Sequence, residues 1–86
     1  MIQKEIIIEN PLGLHAYPAT LFAKKAMEFS SEVRLSKDER EVDGKSVLLI
    51  LTLAVEKGDK VTLKVSGEDE GKAFEALKSL LLKSEE

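Results

Sequence analysis

Group-transfer chemistry has few candidates in this chain. His15 is its one imidazole, and it contains no cysteine. That excludes a disulfide framework, a thiolate nucleophile and a Cys-based zinc site, and a lone histidine leaves no His-rich metal site either. No metal and no cofactor are therefore expected. His15 is followed by a helical pattern, with Pro18 three residues on. Proline is tolerated in the first turn of a helix, and it disfavours helical dihedrals in the residue before it, so the helix start is expected at His15–Pro18. A helix N-terminus offers unpaired N–H donors and a partial positive charge, which together suit an anion. A phosphoryl group on His15 would then lie within reach of the N–H groups of Ala16 and Tyr17. On residue types alone, a lone histidine at a helix start is more often a cap or plain surface residue, and Gly13 and Pro18 do not reverse that.

The elements that must position this histidine are legible in outline. Ile2, Ile6 and Ile8 alternate against Glu5 and Glu9, the pattern of a half-buried strand, and Asn10-Pro11-Leu12-Gly13 ends it in a loop. Ala19, Phe22, Ala23 and Ala26 then form a helical stripe at i, i+3, i+4 and i+7. Residues 30–36 alternate with Val33 and Leu35 inward, residues 38–42 read as a charged turn and short strand, and Asp43-Gly44 is a turn dipeptide. The apolar run from Val47 to Val55 fits a buried strand or a buried helix; β-branched residues favour the first and a Ser46 N-cap the second. Val61, Leu63 and Val65 alternate with Thr62 and Lys64 as a strand, and residues 69–83 form an amphipathic helix with Ala73, Phe74, Leu77, Leu80 and Leu81 inward. Strands interleaved with two or three helices predict an α+β sandwich in which helices cover one face of a four-stranded sheet.

The chain has 86 residues, enough for one domain spanning 1–86, with 13 Lys+Arg, 16 Asp+Glu and 43% hydrophobic residues. Residues 1–36 hold four charges of each sign, so the net −3 arises beyond them. No basic cluster suggests nucleic acid, and no apolar run approaches the roughly 20 residues that span a bilayer. Charged residues interrupt the first isoleucines, so no signal peptide is expected. The expectation is a cytoplasmic domain without membrane insertion.

The string Asn10-Pro11-Leu12-Gly13-Leu14-His15-Ala16-Tyr17-Pro18-Ala19-Thr20 resembles the signature of the HPr family, the histidine phosphocarriers of the bacterial phosphoenolpyruvate-dependent sugar phosphotransferase system. Asp43-Gly44-Lys45-Ser46, Leu53–Gly58 and Ser66–Glu70 extend the resemblance over essentially the whole chain. It implies a βαββαβα open-faced sandwich with an antiparallel sheet, and a monomeric carrier rather than a free-standing enzyme. By the same resemblance His15 would accept a phosphoryl group on Nδ1 from phosphorylated enzyme I and donate it to IIA proteins. The ambiguous run would become a short helix over 47–52. Val47, Leu48 and Leu51 would form a docking patch beside His15, joined by Thr20 and Lys24, while Leu49, Ile50 and Leu53 would be core. Ser46 matches the regulatory serine that an HPr kinase phosphorylates in many lineages, with a transcriptional regulator as a further partner; a bare N-cap is the other reading.

Departures from the family pattern bear on function. Tyr17 replaces an arginine that would pair with phosphoryl oxygens, a charge-assisted contact worth ~1.5–3 kcal/mol. Lys24 lies about 13 Å along the helix from His15 and cannot substitute directly. Leu49 and Ala54 stand where glycines are common, giving a bulkier second helix. Tyr17 therefore keeps open an HPr-like regulatory binding module, or a carrier in a non-sugar branch such as one serving nitrogen regulation.

Overall fold

The computed structural model describes residues 1–82, with the order β1 (Ile2–Ile7), α1 (Ala16–Ala26), β2 (Glu32–Lys37), β3 (Arg40–Asp43), α2 (Val47–Leu51), β4 (Lys60–Ser66) and α3 (Glu70–Leu82). The expected end of the last helix at Lys83 lies outside the described residues. The sheet order is β1-β4-β2-β3, every pair antiparallel. This is the open-faced α+β sandwich expected from the order of elements.

Alternation places the core. Val61, Leu63 and Val65 of β4 are fully buried, as are Val33 and Leu35 beside them on β2. Their neighbours Thr62, Lys64, Arg34 and Ser36 point to the opposite, polar face. α1 and α3 lie over the apolar face and touch each other, α3 contacting β1 and β4 and α2 reaching β3. The stripe Ala19, Phe22, Ala23 and Ala26 is wholly buried. Its small residues let α1 approach closely around one aromatic ring, and emptying that space by Phe22→Ala would cost ~3–5 kcal/mol. On α3 the inward set is Ala73, Phe74, Leu77 and Leu81, with Leu80 only partly covered.

Two clasps position the loops. Asp69, at the N-terminal end of α3, accepts hydrogen bonds from Ser30 N–H, Ser31 N–H and the buried Ser31 hydroxyl, tying α3 to the start of β2. Gly67 allows this, because a Cβ there would collide with Ser31. On the other side, Lys37 Nζ pairs with Asp59 at 2.9 Å and donates to the Ala54 carbonyl at 2.8 Å. That fastens the segment between α2 and β4 to the end of β2.

Candidate functional site

His15 is the N-cap of α1, with extended backbone (φ −103°, ψ 162°), and its side chain makes no capping hydrogen bond. A cap normally spends its side chain on a first-turn N–H; here the ring is left for other work, with 42% of the side chain exposed. The first bond inside the helix runs from Ala19 N–H to the His15 carbonyl at 3.4 Å. Ala16 and Tyr17 N–H groups lie ahead of it, and Pro18 contributes none. Ala16 has φ +34°, outside the ordinary range for a residue with a Cβ. Such a backbone stores on the order of 1–3 kcal/mol and persists only when its surroundings enforce it. Here they do: Gly13 at φ +61° packs so closely on the Val55 carbonyl that no Cβ would fit, and Leu14 N–H donates to that same carbonyl at 3.0 Å.

That backbone contact brings two distant segments together. His15 Nε2 lies 3.1 Å from a carboxylate oxygen of Glu56, 41 residues away in sequence. Sequence reasoning missed Glu56, because nothing local marks it; only the Leu14–Val55 pairing puts it beside the ring.

Tyr17 is 64% exposed and lines a shallow apolar groove with Leu12, Pro18, Leu21 and Leu80. Thr20 and Lys24 are exposed on α1, and the Thr20 hydroxyl donates to the Ala16 carbonyl at 3.0 Å. Lys24 also falls in the last turn of α1, where a cation suits the helix dipole.

The second helix exposes the residues of the expected patch unevenly. Leu48 is 77% exposed, but Val47 and Leu51 are half-buried against the core. Leu49, expected in the core, is 41% exposed. At 100° per residue, Val47, Ile50 and Leu51 share the inward side of so short a helix, leaving Leu48 and Leu49 outward. The outward apolar pair is therefore Leu48 and Leu49. Ile50 and Leu53 are buried as expected. Ser46 caps this helix, its Oγ accepting the Leu49 N–H at 3.2 Å. α1 and α2 pack on each other, so both outer surfaces belong to one side of the molecule.

Comparison with known proteins agrees with this geometry. The family model described as "PTS HPr component phosphorylation site" matches residues 2–83. The chain is 41% identical over 81 residues to the phosphocarrier protein HPr of Lysinibacillus sphaericus, covering 94% of this chain and 92% of the relative. It is 43% identical over 77 residues to the HPr-like protein Crh of Bacillus subtilis, covering 90% and 91%. The crystal structure of HPr-C-His from Thermoanaerobacter tengcongensis superposes with a TM-score of 0.91 at 42% identity, covering 94% of this chain and 91% of that one. With a half-exposed imidazole that makes no capping bond at the head of α1, and a match of this extent in both sequence and fold, the chain belongs to the HPr family of phosphotransferase-system phosphocarriers.

Proposed function

We infer that this protein carries phosphoryl groups on His15, taking them from phosphorylated enzyme I and passing them to IIA proteins in the cytoplasm. The observation that carries this reading is the N-cap position of His15 with its ring unused for capping. A neutral imidazole there is a nucleophile, and the first-turn N–H groups of Ala16 and Tyr17 are the nearest donors for phosphoryl oxygens. Leu48, with Leu49, Thr20 and Lys24 around it, supplies the surface that partners cover. In this reading the protein acts as a monomeric carrier and turns over only with its partners. The test is incubation with phosphoenolpyruvate and enzyme I followed by intact-mass measurement. Wild type is expected to gain one acid-labile phosphate and His15→Ala none. An acid-labile phosphate on the alanine variant would overturn the assignment.

A second reading has specific support. Tyr17 in place of the family arginine, together with 43% identity to Crh, favours a regulatory module that docks partners and carries little phosphoryl flux, or a carrier in a non-sugar branch. Failure of wild type to gain the phosphate would favour the regulatory module. Ser46 is the candidate site for an HPr kinase in either case. Its Oγ already sits at the head of α2, so a phosphate there would add charge at a helix start without melting it, and a regulator could read that charge.

A further inference from the structure

The contact between His15 and Glu56, made across 41 residues of sequence, bears on which ring nitrogen reacts. An ionised carboxylate only accepts hydrogen bonds. At 3.1 Å from Nε2, Glu56 therefore assigns the proton of the neutral ring to Nε2 and leaves the Nδ1 lone pair unprotonated, since the partner of one ring nitrogen sets the state of the other. The Glu56 backbone is itself held in place. Its N–H donates to Asp59 Oδ2 at 2.8 Å, the same carboxylate that Lys37 grips at 2.9 Å. The preceding residue, Val55, receives the Leu14 N–H, one residue before His15. Both the histidine and the glutamate thus grow from backbone fixed on the same carbonyl.

We propose that Glu56 is a positioning residue for His15, holding the Nε2 proton so that Nδ1 is the phosphoryl acceptor and countering the charge the ring acquires. This rests on the phosphocarrier reading. In the step, the Nδ1 lone pair forms the N–P bond, while the donor's bond to phosphorus breaks and its electron pair leaves with the donor. The Nε2 proton stays where it is, so the phosphorylated ring becomes cationic, and Glu56 faces that cation across the ring from the phosphoryl group. Donation to the next protein runs the same step in reverse, and the ring leaves as neutral imidazole. Where Tyr17 offers no cation for the phosphoryl oxygens, Glu56 supports the other side of the same group.

The experiment compares wild type, Glu56→Ala and Glu56→Gln, each with 15N-labelled histidine. Long-range proton–nitrogen correlation above about pH 8, where an ordinary imidazole is neutral, reads the tautomer. Acceptance from enzyme I and phosphoenolpyruvate is followed in parallel by intact mass. Wild type is expected as the Nε2–H form. Glu56→Ala should show a larger Nδ1–H share and a kcat for acceptance lower by about two- to fivefold, the range of an exposed ion pair, with KM for enzyme I unchanged. Glu56→Gln, whose amide oxygen still accepts, should keep the wild-type tautomer and most of the rate. An unchanged tautomer share in Glu56→Ala, or acceptance as fast as wild type or faster, would overturn the proposal. If wild type gains no phosphate at all, the carrier reading fails, and the tautomer comparison still decides whether Glu56 orients the ring.

Discussion

Replacing Tyr17 by arginine should make His15 a better acceptor, and the structure bounds by how much. A guanidinium paired to phosphoryl oxygens in a sheltered site contributes ~1.5–3 kcal/mol. Position 17 is not sheltered: the tyrosine is 64% exposed, and solvent screening brings exposed charge pairs down to ~0.2–1 kcal/mol. A phosphoryl dianion is a stronger partner than a carboxylate, so the upper end applies, about 1 kcal/mol or roughly fivefold in rate. Tyr17 is largely exposed, so Tyr17→Arg should leave the melting temperature within about 2 °C. The assay is kcat/KM for phosphorylation by enzyme I, read by rapid quench and intact mass. Enzyme I from the same source is used, with a standard bacterial enzyme I alongside. The arginine variant should be faster with both. If wild type equals or exceeds it with its own enzyme I, the partner supplies the missing cation and Tyr17 is a specificity element, which would refute the reasoning.

Leu48→Asp should weaken partner binding by about 10- to 100-fold, the loss of burying one leucine, while melting temperature stays nearly constant because Leu48 is exposed in the free protein; a large thermal loss would mean the side chain is core. Ala54→Gly should stabilise the fold. Ala54 sits at φ +53° with its side chain exposed, so relief of ~1–2 kcal/mol outweighs the extra freedom of unfolded glycine, ~0.4–1 kcal/mol, and calorimetry should show a rise of a few degrees. Stability should fall in acid. The Ser31 hydroxyl and Ser30 N–H hold the Asp69 carboxyl below its ordinary value, Lys37 does the same for Asp59, and the terminal ammonium and Gly67 N–H for Glu70. Carboxyls depressed in the folded state stabilise it above their unfolded values and lose that effect as pH drops through the folded ones. Melting temperature should therefore be flat from neutrality to about pH 5 and decline below about pH 4; a flat profile to pH 2 would contradict it.

How much of this was legible in the sequence depends on the range of the interaction. β4 and α1 announced themselves because their periods, two and 3.6, are properties of consecutive residues, and the structure buries the residues those periods select. α2 was ambiguous because an unbroken apolar run has no period to read. What decides it locally is Ser46, whose hydroxyl takes the Leu49 N–H, and what decides its facing is the neighbouring α1 and β3. Leu49 is exposed where a core position is expected, because hydrophobicity alone does not say which side of five apolar residues meets the core. The site divides in the same way. His15 could be found from Pro18 and the helix start, and the family string around it carried the rest. The positive φ of Ala16 and the Glu56 partner depend on a carbonyl 40 residues downstream, and no local pattern encodes that.

The strand order β1-β4-β2-β3 has a consequence for how the protein is made. β4 is the central seam: Ile2 pairs with Val65 across one of its edges, and Val33 pairs with the same residue across the other. On a ribosome β4 is synthesised after every other strand. Until it emerges, the only sheet pairing available to the nascent chain among the described strands is the β2–β3 hairpin, and β1 waits with Ile2 and Ile6 uncovered. Closing β1 onto β4 then joins residues some 60 positions apart, a slow step for a chain of this size. The vulnerable species is thus a chain with His15 already synthesised and its sheet still open, and it is there that chaperones or proteases have their opportunity.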